Sequence, residues 1–317
     1  MTSTVDELIA AARDGQEAAF RALVEAHLPG LRLHCYRMLA SFHDADEALQ
    51  EVLFSAWRSL HTYEGRAPLA HWLMRIATTT CLKAIAERAR RPVSVDDLAY
   101  LEPYPDRLLD ALPAGTDPAA ETERRESVSL AFITALQLLP PTQRAALILH
   151  DVLAWRSDEV AGLLGTTVPA VNSLLQRARA TLTTVDRSAT RRPLDLADDA
   201  VLAAFVAAWN RSDVATIATL LHRDVVMRMP PEALVVAGRG AVVEFFATVP
   251  AAGRLDALPL IATRSNGQPA VAAFEDGDRT RPYGLMVFEI LDVTVVSIIG
   301  FPAFAQPTLA SAFGPWT

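Results

Sequence analysis

Apolar positions recur at helical spacing over roughly the first 185 residues, and two-residue alternation appears only in the last third of the chain. Between Gln16 and Ala40, residues Phe20, Leu23, Val24, Leu28, Leu31, Cys35, Met38 and Leu39 fall on one face and predict a core-facing helix with a kink at Pro29. A second helix is predicted to open at Asp44, capped by that carboxylate with Glu47 three residues on, and to bury Ala48, Leu49, Val52, Leu53, Ala56 and Trp57. A third starts around Pro68 and turns Leu69, Trp72, Leu73, Ile76 and Cys81 inward. After a proline-rich interval, helices are predicted over 128–139, 142–151, 157–164 and 168–182. The last two form a helix-turn-helix pattern: Gly165 supplies the turn, Thr167 a cap and Pro169 the first turn, while Val171, Leu174, Leu175, Ala178 and Leu182 make the buried stripe. Beyond Arg191-Arg192-Pro193 the pattern changes to helices near 198–209 and 213–221, the strand-like VVMRMPP, a helix around Ala241–Thr248, and strands at 258–264, 269–275, 283–290 and 293–299.

This grouping predicts units at 1–91, 124–192 and 193–317, with 92–123 as a connector. A length of 317 residues, 51% of them hydrophobic and 21% charged, suits several folded domains and excludes a disordered or fibrous chain. Charge sharpens the boundaries, because residues 92–123 carry 1 basic and 8 acidic side chains while 124–192 carry 9 basic and 5 acidic, although the whole chain is at −8. With Pro92, Pro103, Pro105, Pro113 and Pro118, the connector reads as extended and acidic. Two cysteines, Cys35 and Cys81, sit on apolar helical faces and read as core residues. Neither they nor the scattered histidines have metal-ligand spacing, so no metal or cofactor is expected. The opening MTSTVDELIA lacks the features of a secretion signal. The uncharged stretch from Val293 to Thr317 is broken by Gly300, Pro302, Pro307, Gly314 and Pro315, so a cytoplasmic protein without a membrane span is expected.

Three surfaces carry candidate chemistry. Asp46, Glu47, Gln50 and Glu51 form a polar face opposite the buried stripe of the second helix, either a solvated surface or a docking face. Arg75, Lys83, Arg88, Arg90 and Arg91 make the end of the third helix basic, which complements the helix dipole and, beside Tyr63 and Trp72, also suits a nucleic-acid strand. On the last helix of the helix-turn-helix, Ala170, Asn172, Ser173, Gln176 and Arg177 face outward, as residues that read base edges and phosphates do; a purely structural hairpin is the alternative.

Together, in this order, the stretches DADEALQEVLFSAWRSLHTYEGRAPLAHWLMRIATTTCLKAIAERARR and LQLLPPTQRAALILHDVLAWRSDEVAGLLGTTVPAVNSLLQRARATL resemble domains 2 and 4 of bacterial RNA polymerase sigma factors of the extracytoplasmic-function group, in the sigma-70 family. The resemblance implies a transcription initiation factor rather than an enzyme, with core RNA polymerase and promoter DNA as partners. It places Asp46, Glu47, Gln50 and Glu51 on the polymerase beta-prime coiled coil, and domain 4 at the beta flap. Tyr63, Arg66, Trp72, Arg75, Lys83 and Arg88 fall at the promoter −10 element, and Ala170, Asn172, Ser173, Gln176, Arg177 and Arg179 at the −35 element. Trp72 keeps two readings, core wedge or stacking platform. One departure is that Asn172 and Leu174 stand where many relatives carry Lys or Arg, which lowers the expected phosphate affinity and shifts weight to Arg177 and Arg179. The acidic connector resembles the family's, which threads the polymerase cleft.

The run FVAAWNRSDVATIATLLHRDVVMRMPPEALVVAGRGAVVEFF resembles the SnoaL-like branch of the nuclear-transport-factor-2 superfamily. The expected architecture is therefore multidomain: two all-α sigma domains, the second with a helix-turn-helix, followed by an α+β cone with a curved antiparallel sheet. The resemblance makes the third unit a built-in regulator of the sigma module. Trp209, Met227, Met229, Phe245, Phe246 and Phe288 are candidate pocket residues for an unidentified small-molecule ligand, with core packing as the alternative. His222, Asp224 and Asp292 could supply an acid or base, or merely solvation and turns. A SnoaL-like enzyme or ligand sensor fused to a DNA-binding module is accordingly the second functional reading.

Overall fold

The computed structural model describes residues 4–89, 101–112, 125–184 and 196–306, together with Leu309 and Phe313. Arg90, Arg91, the rest of the predicted connector and the boundary at Arg191–Pro193 lie outside the described residues. Described residues 4–89, 108–112 and 131–184 form one compact unit, and 101–107, 125–130 and 196–306 form a second.

The first unit is all helical: α1 (Val5–Arg13), α2 (Glu17–Glu25), α3 (Leu28–Leu39), α4 (Phe42–Ser59), α5 (Leu69–Ala89), the end of α6 (Asp106–Asp110), α7 (Leu130–Gln137) from residue 131 on, α8 (Pro141–Leu147), α9 (Ser157–Leu164) and α10 (Val168–Thr184), the first residues of α6 and α7 belonging to the second unit. Two expectations need correction. The predicted kinked helix is two helices, because Pro29 occupies the first turn of α3, where a missing N–H costs nothing. Nor does Asp44 cap α4; Ser41 does, its Oγ accepting from the Asp44 amide at 3.0 Å after Ala40 has closed α3 in a left-handed conformation (φ 61°). The core of α3, α4 and α5 collects Leu31, Cys35, Met38, Leu49, Val52 and Leu73, all buried. Cys81 is buried there too, and its hydrogen bond to Cys35, followed by burial, pushes its thiol pKa up, as suits two inert core thiols.

Both predicted sigma-like blocks belong to this one unit. Arg144 of α8, 6% exposed, reaches the carbonyl oxygens of Met38 at the end of α3 and of Gln137 and Leu139 near the end of α7. It satisfies helix-terminal acceptors that would otherwise be buried without donors. His71 of α5 stacks on Trp155, just before α9, with ring centroids 4.2 Å apart and planes at 21°. Its Nδ1 lies 3.6 Å from Glu159.

The second unit packs α11 (Leu196–Trp209), α12 (Val214–Leu220) and α13 (Arg239–Thr248) with a six-stranded sheet of order β2-β1-β6-β5-β4-β3. The strands are β1 (Leu221–Arg228), β2 (Val235–Ala237), β3 (Leu260–Ser265), β4 (Gln268–Phe274), β5 (Pro282–Leu291) and β6 (Thr294–Pro302). The sheet is mixed rather than wholly antiparallel, since β1 runs parallel to β6 (Met227 opposite Ile298) after a connection that crosses the rest of the sheet. Strand β2, three residues long, is too short for its alternation to stand out in the sequence.

Candidate functional site

Helix α4 presents the acidic face. Its inward stripe is Ala45, Ala48, Leu49, Val52 and Ala56, which leaves Glu47, Gln50 and Glu51 exposed. Asp46 differs from its neighbours: its carboxylate accepts from Arg32 of α3 at 3.1 Å, so part of its charge is already answered within the fold. Arg32 was not singled out by the sequence, because nothing in its local spacing announces a partner 14 residues away.

A groove of about 940 Å³ runs beside this face. Glu47, Ala48 and Glu51 of α4 line one wall, and Trp72, Arg75, Ile76, Lys83 and Arg88 of α5 the other. Two of the expected docking residues, Glu47 and Glu51, and four of the six expected −10 residues, Trp72, Arg75, Lys83 and Arg88, therefore border one cleft, whereas Asp46 and Gln50 lie outside it. Arg88 closes on Asp44 in an ion pair. Tyr63, 9% exposed, donates its hydroxyl to the Ala67 carbonyl at 2.8 Å and packs 5.4 Å from the Trp72 ring, so it shapes the loop before α5. Trp72 is half-buried and faces the groove, while Arg66 stands outside it, paired with Glu64 at 2.6 Å.

In α9 and α10 the helix-turn-helix is built as its residues suggest. Gly165 ends α9 at φ 63°, the Ala170 amide donates to Thr167 Oγ1, and Val171, Leu175 and Ala178 are buried. Asn172, Ser173, Gln176, Arg177 and Arg179 are exposed, and Ala170 is partly so. Three of these are held in place: Asn172 Oδ1 accepts from Ser157, Ser173 Oγ donates to the Pro169 carbonyl at 3.0 Å, and Arg179 forks onto Asp151 at 2.9 and 2.6 Å. Burial pushes the Asp151 carboxyl up, but hydrogen bonds from Arg179 and His150 outweigh it and hold its pKa below the usual range.

In the second unit the candidate pocket residues are packed into the core. Trp209, Met227, Phe246 and Phe288 are at most 2% exposed, with Met229 and Phe245 partly buried against them. Phe205 joins them at 4.9 Å from Phe288 in an edge-on contact, and Trp209 Nε1 donates to the Leu258 carbonyl at 2.9 Å. His222 and Asp224 lie side by side on β1, where Asp224 also binds Arg223, and Asp292 forms the β5–β6 turn at φ 46°.

The polar cluster that the sequence does not announce is at the β3–β4 hairpin. Asn266, buried and left-handed (φ 57°), accepts the Tyr104 amide on Oδ1 at 2.7 Å and donates its own amide to the Tyr104 carbonyl at 2.9 Å. Its Nδ2 donates to the Val128 carbonyl at 2.7 Å. The Gly267 amide donates to Asp106 at 2.8 Å, Gln268 accepts from the Leu130 amide, and Gln306 donates to the Leu101 carbonyl. The described part of the acidic connector is thus a ligand of the hairpin, with Leu101, Pro103, Tyr104 and Pro105 all buried.

Residues 23–91 match the sigma-70 region 2 family, 129–182 match sigma-70 region 4, and 202–294 match the SnoaL-like domain. The chain is 38% identical to the ECF RNA polymerase sigma factor SigG of Mycobacterium tuberculosis over 98% of this chain and 89% of that protein. It is 31% identical to SigJ of the same organism over 66% of each chain. The crystal structure of M. tuberculosis extracytoplasmic function sigma factor SigJ superposes with a TM-score of 0.62 at 25% identity, covering 92% of this chain and 99% of that one. Sustained identity across nearly the full length, with both sigma-70 regions and the SnoaL-like domain in the same order, shows that the chain belongs to the ECF RNA polymerase sigma factors.

Proposed function

We propose that the exposed carboxylates of α4, with Gln50, dock on the beta-prime coiled coil of core RNA polymerase, that the loop before α5 and the basic wall of α5 engage the −10 element, and that α10 reads the −35 element while its domain meets the beta flap. The cytoplasm, where core polymerase and promoter DNA reside, is the matching compartment. The observation that carries this reading is the side-by-side placement of Glu47 and Glu51 with Arg75 and Lys83 along one groove, which lets one domain hold polymerase and strand at once. Replacing Asp46 and Glu47 by Lys reverses the face and abolishes association with core polymerase. Intact binding by that double variant refutes the assignment.

The SnoaL-like domain regulates the sigma module in this proposal by holding the connector. A connector bonded through Tyr104 and Asp106 to the β3–β4 hairpin is not available to thread the polymerase cleft, so the two states compete. Run-off transcription with purified core polymerase on a pooled promoter library, comparing the full chain with one ending at Asp186, tests both parts. Specific transcripts support the sigma assignment, and a higher yield from the shorter chain identifies the domain as restraining. Equal yields refute the regulatory role. The packed aromatic core gives no comparable support to an enzyme or sensor reading.

A further inference from the structure

Helix α4 carries one residue that neither its own fold nor the acidic face accounts for. Phe54 is 55% exposed, the only aromatic among the large exposed hydrophobic side chains described in the helical unit. The buried stripe of α4 is complete without it. On a helix, position 54 is adjacent to 50, 51 and 58, and its side chain leans toward the N-terminus, over Gln50 and Glu51. The Arg58 guanidinium lies 5.5 Å from the ring centroid on the other side, a cation–π contact that restricts the ring and presents it to solvent. From Glu47 to Arg58 the stripe runs about 16 Å, the scale of a helix-on-helix contact.

We propose that Phe54 is the apolar anchor of the polymerase-docking surface, inserting into a hydrophobic notch between basic side chains on the helical polymerase partner. The inference rests on the docking-face reading above and extends it by one residue and by the kind of contact. Carboxylates such as Glu47 and Glu51 steer and orient an approaching basic surface, but exposed ion pairs add little lasting affinity. Stable interfaces concentrate their energy in a few buried aromatic or arginine side chains ringed by polar ones. Phe54, with Glu47, Gln50, Glu51 and Arg58 about it, has that composition. The partner it fits combines arginines or lysines with an aliphatic side chain on one helical face.

The test is equilibrium binding of the full-length protein to core polymerase, with urea unfolding measured on the same preparations. Phe54→Ala, which improves helix propensity and opens no cavity, leaves the urea midpoint unchanged and weakens Kd about thirtyfold. Phe54→Leu, which keeps most of the apolar area, recovers binding to within about threefold of the original. A Glu47→Lys/Glu51→Lys variant runs in parallel. Should Phe54→Ala bind as tightly as the parent while the charge-reversed variant does not, the anchor is refuted and the docking face stands. Should both bind normally, the docking face falls and the anchor with it. A fall in the urea midpoint that accounts for the lost affinity would assign Phe54 to the fold and overturn the proposal.

Discussion

Asn266→Ala should release the connector from the SnoaL-like domain. The side chain makes two bonds to connector and flanking backbone, from the Tyr104 amide and to the Val128 carbonyl, both at 2.7 Å in a buried setting. Removing it strands one buried donor and one buried acceptor, at about 1–3 kcal/mol each. Alanine also holds the left-handed φ of 57° less well than asparagine, adding about 1 kcal/mol. A loss of about 4 kcal/mol is thus expected locally, nearly three decades in the equilibrium for opening the segment. Hydrogen exchange reads it directly: the Tyr104 amide should exchange several hundred times faster, while amides of α4 and α5 keep their protection. Asn266→Gly separates the two contributions, since glycine accepts the conformation and loses only the bonds. If Tyr104 stays protected in the glycine variant, Asn266 serves the turn alone and the hairpin does not hold the connector.

Three further outcomes follow from the helical unit. His34, fully buried with Nε2 2.9 Å from Thr78, has its pKa lowered to about 3 by burial and then by Arg37. The unfolded chain therefore takes up a proton that the folded one refuses, and stability drops as pH falls below about 6.5, by about 2 kcal/mol at pH 5; urea midpoints at pH 7 and 5 should differ less in His34→Gln. Arg144→Leu leaves the Met38, Gln137 and Leu139 carbonyls without their shared donor, and should cost about 3 kcal/mol, seen as a lower urea midpoint that Arg144→Lys only partly restores. Under the −35 assignment, Arg177→Ala should reduce the slope of log affinity against log salt by about 0.9 if the guanidinium meets a phosphate. An unchanged slope would place Arg177 away from the DNA backbone.

What the sequence shows clearly is whatever repeats locally. The period of Val171, Leu175 and Ala178 and the turn chemistry of Gly165 and Thr167 fix the helix-turn-helix from within 20 residues. The outward set of α10 follows by subtraction, as does the acidic face of α4. Ser41, three residues before Asp44, is a cap legible in the sequence, but the Asp44–Glu47 spacing fits a capping pattern as well, so local sequence does not choose between them. Contacts between distant residues leave no such trace: Tyr104 and Asn266 are 162 positions apart, and Arg144 and Met38 are 106 apart. Acidic, proline-rich composition describes the connector's solvent preference as a free chain, yet Leu101, Pro103, Tyr104 and Pro105 are buried once a hairpin offers partners for their backbone. The aromatic set of the second unit stands out in the sequence, but periodicity cannot distinguish rings that line a cavity from rings that pack on one another.

The stacking of His71 on Trp155 has a geometric corollary for promoter search. Elements named −10 and −35 are separated by about 25 base pairs, or about 85 Å of duplex at 3.4 Å per step. A compact body of the helical unit's length is about 40 Å across. If α5 and α10 read the two elements as proposed, a unit whose two blocks are joined through a 4.2 Å ring contact and the Arg144 bonds can address one element at a time and not both. Bipartite recognition on that assignment demands separation of the two blocks, with the free energy for breaking those contacts supplied by binding polymerase and DNA together. On that assignment the unopened protein is a poor ligand for naked promoters, and polymerase is what turns it into a good one.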